Sequence, residues 1–208
     1  MMRFQNVSVS LNGRRLVHLE AAVRPGGALV LMGPSGSGKS SLLAYVGGFL
    51  DPAFEAAGTV TVDGTDITAM SPPDRHVGVL FQDPLLFPHM SVGGNLLFAV
   101  PRRERQRRAV AEAALADAGL DGFFDRDPAT LSGGQAARVA LMRVLVSRPR
   151  ALLLDEPFSK LDADRRERVR RFTFATARER DLPVLLVTHD EEDAAAALRE
   201  TDGEVVRL

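Results

Sequence analysis

Cysteine is absent from this sequence of 208 residues, which excludes disulfide bonds and metal sites built from thiolates. No stretch reaches the roughly 18 consecutive apolar residues that a membrane-spanning helix needs. The first ten residues, MMRFQNVSVS, also lack the charged head and apolar core of a secretory signal. We therefore expect a protein without a membrane anchor of its own, so any action at a membrane would go through partner proteins.

The sequence also lacks an excess of positive or of negative residues. Lysine and arginine total 26 residues against 27 aspartates and glutamates, which gives a formal net charge of -1. This balance provides no general electrostatic footprint for nucleic acid, so we expect no nucleic-acid partner. Two arginine-rich stretches, 102–108 and 165–171, also contain glutamate and fall in helical patterns. That mixture favours solvated helix faces over a phosphate or nucleic-acid patch.

The composition, with 45% hydrophobic and 25% charged residues, is typical of a globular protein, and the length suits one domain. Strands alternate with helices, which predicts an α/β fold with a parallel sheet and a mainly helical region at 83–147. Predicted strands lie at 4–11, 28–32, 59–62, 77–81, 151–154, 183–188 and 203–208. Predicted helices lie at 41–50, 102–120 and 136–146, and a further one starts at Asp162.

A glycine-rich loop follows the predicted strand 28–32 and fits the phosphate-loop pattern at every fixed position. Its glycines let successive backbone N–H groups turn toward phosphates, and the N-terminus of the next helix adds favourable partial charge. The lysine would reach the outer phosphates, and the serine after it can ligate magnesium. The predicted nucleotide-binding residues of this loop are Gly33, Pro34, Ser35, Gly36, Ser37, Gly38, Lys39, Ser40 and Ser41.

Two adjacent acidic residues follow the predicted strand 151–154. Asp155 would hold Mg2+, directly or through water, whereas Glu156 would lie beside the γ-phosphate and polarise the attacking water. Paired acids at a strand end are also common helix caps. The phosphate loop earlier in the chain favours the catalytic role for this pair.

The segment 131–135, Leu-Ser-Gly-Gly-Gln, narrows the class, because a phosphate loop alone leaves kinases, GTPases, helicases and transport ATPases open. A helix is predicted to follow this segment, so Ser132 and the backbone amides of Gly133 and Gly134 can form a second anion site beside Gln135. A serine-capped helix start with flexible glycines is the alternative.

These residues resemble the signature motif of the ATP-binding cassette (ABC) family, and the likeness extends from Phe4 to about Leu198. The resemblance implies a phosphate-loop NTPase fold with a RecA-like core sheet, an antiparallel β subdomain and a helical ABC subdomain, with ATP and Mg2+ as ligands. Gln82 is similar to the family's glutamine loop, which contacts magnesium and water. His189 is similar to the switch histidine that holds the γ-phosphate, and 159–162 matches the loop that crosses to a partner subunit.

In that family two such domains pair head to tail, so Ser132 would act on the nucleotide of a second ATP-binding subunit, in a homodimer or a paired ATPase. The segments 80–87, 127–132 and 154–159 resemble bacterial importer ATPases. That likeness implies ATP hydrolysis coupled to solute import through transmembrane permease subunits, with an extracytoplasmic solute-binding protein. The implied location is peripheral, at the cytoplasmic face of the inner membrane.

Three other functions stay open at this point. One is an ABC exporter ATPase, and another is a soluble ABC ATPase that acts on nucleic acid or ribosomes. The third is a phosphate-loop kinase, which would leave Gln82, His189 and the segment 131–135 unexplained.

The sequence departs from the family pattern at the adenine contact. Many members stack adenine on an aromatic residue upstream of the phosphate loop, where this chain has Leu11. Leucine covers a ring face but has no π system, so we expect a weaker contact and similar binding of ATP and GTP. The chain ends soon after His189, so we expect one nucleotide-binding domain at 1–208 without a C-terminal regulatory domain.

Overall fold

The strands form two separate sheets. The N-terminal part, in which apolar residues alternate with polar ones, contributes to one sheet, and the later strands with continuous apolar runs form the other. The computed structural model of the chain describes residues 1–34 and 36–208. Its strands are β1 (Met2–Leu11), β2 (Arg14–Val23), β3 (Ala28–Met32), β4 (Phe54–Val62), β5 (Thr65–Asp66), β6 (Val77–Leu80), β7 (Ala151–Asp155), β8 (Val184–Thr188) and β9 (Gly203–Arg207). Its α-helices are α1 (Lys39–Gly47), α2 (Val92–Ala99), α3 (Arg107–Asp117), α4 (Gly133–Val146), α5 (Ala163–Glu179) and α6 (Glu191–Glu200).

The described residues divide into two compact units. The first comprises Met1–Val79, Arg150–Glu156 and Phe174–Leu208, and it holds nearly all of both sheets with α1 and α6. The second comprises Leu80–Pro149 and Pro157–Thr173, and in it α2, α3 and α4 pack on one another. Helix α5 begins in the second unit and ends in the first.

The first sheet is antiparallel, with strand order β2-β1-β4-β5. Asn12 and Gly13 join β1 to β2, and their φ angles of 51° and 75° suit the tight turn of a hairpin. Phe4, Val7 and Val9 of β1 are buried, so the alternation seen in the sequence gives this sheet one apolar face.

The second sheet has strand order β6-β7-β8-β3-β9, and β3 pairs in parallel with both β8 and β9. Every residue of β3 and β8 is buried, as is typical of parallel strands that are covered on both faces. Leu42, Leu43 and Val46 of α1 belong to the same hydrophobic core as Leu31 of β3 and Leu153 of β7. The loop between β3 and α1 is therefore held by two buried elements.

The predicted α/β fold with a parallel sheet is confirmed, and the strands predicted at 28–32, 151–154 and 183–188 are present. Strand β2 and helices α2 and α6 were not predicted. The helix predicted over 102–120 begins only at Arg107. Among the described residues, no helix has both the length and the apolar character required to cross a membrane.

The prediction of solvated arginine faces is wrong at positions that include Arg107 and Arg170. The guanidinium of Arg107 donates to the carbonyl oxygens of Leu97 and Val100 at the end of α2. Arg170 on α5 is only 2% exposed and lies 3.5 Å from the carboxylate of Glu167. Carbonyl oxygens at a helix C-terminus lack intrahelical partners, so a cation beside α2 is stabilising.

Arg75 caps the C-terminus of α1, the helix that follows the glycine-rich loop. The residue is 5% exposed, and its guanidinium donates to the carbonyl oxygens of Tyr45 at 2.8 Å and Val46 at 3.0 Å. It also donates to the carbonyls of Met70 at 2.9 Å and Thr68 at 2.6 Å. One buried cation thus ties the last turn of α1 to the chain between β5 and β6.

Replacing Arg75 by alanine should destabilise the fold, because buried carbonyl oxygens would lose their donor. We expect the free energy of unfolding to fall by about 2–4 kcal/mol, measured by urea denaturation. Arg75→Lys should recover only part of this loss, since one ammonium cannot reproduce the forked contacts. The exposed Arg14, changed to alanine, is the control and should stay within about 0.5 kcal/mol of the wild type. An unchanged stability of Arg75→Ala would contradict this account of α1.

Candidate functional site

The phosphate loop connects β3 to α1 in the first unit. Gly36 and Gly38 have φ angles of 81° and 90°, which residues with a side chain rarely adopt, and a Cβ at Gly38 would lie 2.8 Å from that of Leu16. Gly38 is the N-cap of α1, and because glycine has no side chain, it makes no side-chain hydrogen bond to the first N–H groups of the helix. The first N–H groups of α1 can therefore face an anion. The predicted Ser35 lies outside the described residues.

Lys39 is buried within this loop, with 6% of the residue exposed. Its Nζ donates to the carbonyl oxygens of Gly33 at 2.8 Å and Pro34 at 2.7 Å, and it lies 3.5 Å from Ser37 Oγ. These acceptors are neutral, whereas an anionic phosphate oxygen would accept a stronger, charge-assisted hydrogen bond. The ammonium is thus held in the position from which it can bind phosphate.

Ser40 and Asp155 meet although they lie far apart in the sequence. The hydroxyl of Ser40, at the start of α1, donates to Asp155 Oδ1 at the end of β7 over 3.1 Å. Burial raises the pKa of the Asp155 carboxyl and nearby Glu156 raises it further, whereas the Ser40 hydrogen bond and Lys39 lower it. A hydroxyl beside a carboxylate offers the oxygen ligands that Mg2+ prefers, with phosphate oxygens and water left to complete its shell.

Glu156 and His189 form the second close pair of the site. His189 Nδ1 lies 2.9 Å from Glu156 Oε1, and the histidine is 63% exposed against 28% for the glutamate. Glu156 has a φ of 45°, which is uncommon for a residue with a side chain, and its N–H donates to the carbonyl of Val187 in β8 at 2.9 Å. The neighbouring strand thus holds Glu156 in a strained conformation of the kind that clusters at functional sites.

A cavity of about 360 Å³ lies over the phosphate loop, with all its lining residues in the first unit. Gly36, Gly38, Lys39, Ser40 and Ser41 form its polar part, together with Glu156. Its apolar lining comes from Leu11, Leu16 and Phe54. Leu11 was expected at the nucleotide, whereas Phe54 was not predicted, because no local sequence signal marks a residue that strand β4 brings to the cavity.

The signature segment belongs to the second unit and starts α4. Ser132 Oγ accepts from the N–H of Gln135 at 3.3 Å, and Gln135 Oε1 accepts from the N–H of Ser132 at 2.8 Å. This reciprocal capping box is the serine-capped helix start that the sequence offered as the alternative to an anion site. It leaves the glycine amides unclaimed by those two side chains, and Gly133 is exposed. A cavity of about 320 Å³ lies beside this segment, and its lining includes Ser132, Gly134, Gln135, Arg138, Arg165 and Arg168.

Gln82 is exposed and follows β6 in the second unit. The chain beyond it is fixed by Arg143, which donates to the carbonyls of Leu85 at 2.8 Å and Pro84 at 3.1 Å. The buried Asn95, overlooked in the sequence, accepts from the N–H of Phe87 at 2.8 Å and donates to its carbonyl at 3.2 Å. These contacts give the segment after Gln82 a defined backbone path.

The structure therefore brings Lys39, Ser40, Asp155, Glu156 and His189 together in the first unit, at the carboxyl ends of parallel strands. Gln82 and the signature residues Ser132, Gly133, Gly134 and Gln135 belong to the second unit. A glycine-rich loop between a buried strand and a helix, with a lysine in the loop and a serine-aspartate pair at the end of β7, is the arrangement of a phosphate-loop nucleoside triphosphatase.

Comparison with known proteins identifies the family of nucleoside triphosphatases to which the chain belongs. The model of the ABC transporter family matches residues 16–159. The chain is 45% identical over 199 residues to the uncharacterized ABC transporter ATP-binding protein YnjD of Escherichia coli strain K12, and the match covers 94% of this chain and 92% of YnjD. The chain belongs to the ABC transporter family, as one of its ATP-binding subunits.

Two further relatives carry names that state a substrate. The chain is 40% identical over 202 residues to the taurine import ATP-binding protein TauB of Pseudomonas putida, covering 93% of this chain and 74% of TauB. It is 43% identical over 179 residues to the spermidine/putrescine import ATP-binding protein PotA of Frankia alni, covering 85% of this chain but only 38% of PotA. The predicted family, fold class, ATPase activity and ATP as ligand are confirmed.

Lys39→Ala should weaken ATP binding strongly, because it removes the cation held inside the phosphate loop. We expect the dissociation constant for ATP, measured by calorimetry, to rise by on the order of 100-fold while circular dichroism shows an intact fold. Arg24→Ala, which removes an exposed cation from the first unit, should bind ATP like the wild type. Wild-type ATP binding by folded Lys39→Ala would exclude this loop as the phosphate site.

Proposed function

We propose that this chain is the motor subunit of a bacterial importer, in which ATP binding and hydrolysis drive solute uptake through separate permease subunits. The observation that carries the ATPase part is the meeting of Ser40 with Asp155, and of Glu156 with His189, beside the phosphate loop. The import direction is supported by the relatives named as import ATP-binding proteins for taurine and for spermidine or putrescine.

Binding of the triphosphate would use the loop amides, the N-terminus of α1 and Lys39, since all of them present positive charge to the same cavity. Among the described residues, Gly33, Pro34 and Gly36 to Ser41 would provide the backbone of this cradle. Ser40 and Asp155 would hold Mg2+, with Gln82 as a further ligand. When bound, Mg2+ neutralises charge on the β- and γ-phosphate oxygens.

Hydrolysis would depend on Glu156, which polarises the attacking water as a general base. His189 holds one carboxylate oxygen of Glu156 at hydrogen-bond distance, so the pair fixes the direction of the other oxygen. The ring of His189 is largely exposed, and we propose that it also contacts the γ-phosphate. Gln82 would join the reaction when nucleotide is bound and would report that state to the membrane subunit.

We further propose that hydrolysis needs two chains, in which Ser132, Gly133, Gly134 and Gln135 of one close the nucleotide site of the other. In the described chain Ser132 and Gln135 already satisfy each other, so the segment is a preformed helix start at which Gly133 is exposed and Gly134 is buried. ATP between two such surfaces would bind the closed pair more tightly than the separate chains. That differential affinity is the source of work.

The chain would act as one nucleotide-binding domain at 1–208, with a helical subdomain at about 83–147. It would dock on permease subunits at the cytoplasmic face of the inner membrane, and a solute-binding protein outside would deliver the substrate. An ABC exporter and a soluble ABC ATPase are the competing functions, and neither is favoured by the names of the relatives.

Glu156→Gln should separate binding from hydrolysis, since glutamine keeps the size but removes both the base and a negative charge near the γ-phosphate. We expect ATP turnover to fall by about 10²- to 10⁴-fold, while ATP binding persists and a dimer appears in size exclusion. Adding Ser132→Arg, which places bulk and charge in the closing surface, should return the protein to monomer with ATP still bound.

The control is Glu179→Gln, which changes an exposed glutamate of α5 and should leave turnover unchanged. If Glu156→Gln stays monomeric with ATP bound, even when membrane partners are supplied, the two-chain mechanism is wrong. If it hydrolyses ATP at the wild-type rate, Glu156 is not the base.

A further inference from the structure

We propose that Phe54 of β4 carries the nucleotide base, in place of the aromatic residue that many family members have at the position of Leu11. This inference rests on the proposed nucleotide site. Phe54 lines the same cavity as Lys39 and Ser40, and the apolar part of that cavity consists of Phe54, Leu11 and Leu16. A polar loop facing phosphates and an apolar wall with one aromatic ring match the two ends of a nucleoside triphosphate.

Strand pairing explains how Phe54 reaches this position. In the antiparallel pair of β1 and β4, Phe54 lies directly opposite Leu11. Directly opposed residues have side chains on the same face of the sheet, with Cβ atoms about 4.5–5.5 Å apart. The aromatic ring is thus displaced by one strand from Leu11 but faces the same side.

Phe54 is also fixed in place before any nucleotide binds. Its N–H donates to the carbonyl of Asp51 at 3.0 Å, and Asp51 Oδ1 accepts from the N–H of Ala53 at 2.8 Å, which forms a local turn at the start of β4. The ring is half-buried and packs against the core of the first unit. A ring held in this way loses little conformational freedom when a base stacks on it.

The chemistry of this wall predicts how the base is recognised. Phe54, Leu11 and Leu16 present no hydrogen-bonding side-chain group, so the base would be held by stacking and apolar contact. Every purine has a π-face, so stacking is tolerant of base identity. The wall should therefore raise affinity for ATP and GTP alike, while the phosphate loop supplies the remainder.

The test compares ATP with inorganic tripolyphosphate, which offers the phosphates without the base. Phe54→Leu keeps an apolar side chain against the core but removes the π system. We expect the calorimetric dissociation constant for ATP to rise by roughly tenfold, with a similar rise for GTP and no change for tripolyphosphate. Adding Leu11→Tyr to Phe54→Leu should recover ATP affinity, because it supplies a ring on the neighbouring strand.

Phe98→Leu is the matched control, since Phe98 is a 65% exposed phenylalanine of α2 in the second unit, and its ATP affinity should not change. Unchanged ATP binding by Phe54→Leu would overturn the role of Phe54 and leave the proposed function intact. Equal weakening of ATP and tripolyphosphate would also overturn it, because the ring would then support only the loop. Failure of the wild type to bind either ligand would overturn the nucleotide site itself.

Discussion

Attraction between phosphate and the N-terminus of α1 is the interaction on which the rest of the site depends. Gly38 caps that helix end without a side-chain hydrogen bond, and Lys39 adds a full charge inside the loop. At the opposite end of α1, the guanidinium of Arg75 donates hydrogen bonds to the last carbonyl oxygens of the helix. The same helix is thus open to an anion at one end and closed by a cation at the other, as its dipole favours.

Parallel pairing then decides which side chains surround the proposed phosphate site. Strand β7 delivers Asp155 and Glu156, β8 leads to His189, and β3 leads into the loop, because the carboxyl ends of parallel strands meet at one edge of the sheet. Complete burial of β3 and β8 makes these positions rigid. Rigid placement of charge before the reaction is a major source of catalytic power.

Local patterns predicted the parts that local chemistry determines. The phosphate loop, the acidic strand end and the serine cap of α4 are each contiguous in sequence, so their chemistry could be recognised without the fold. Phe54 and Asn95 could not be predicted, because the first depends on pairing with β1 and the second on packing against a loop. Arg107 was misassigned for the same reason, since its acceptors lie at the end of another helix.

The central claim is that each ATP is hydrolysed between the phosphate loop of one chain and the signature segment of another. Mixing two inactive variants tests it directly. A Lys39→Ala chain keeps an intact signature segment, and a Ser132→Arg chain keeps an intact phosphate loop, so only a mixed pair contains one complete site. The account predicts that ATP turnover measured in the mixture rises well above the sum of the two separate proteins. Turnover equal to that sum, in a mixture shown to contain mixed pairs, would contradict it.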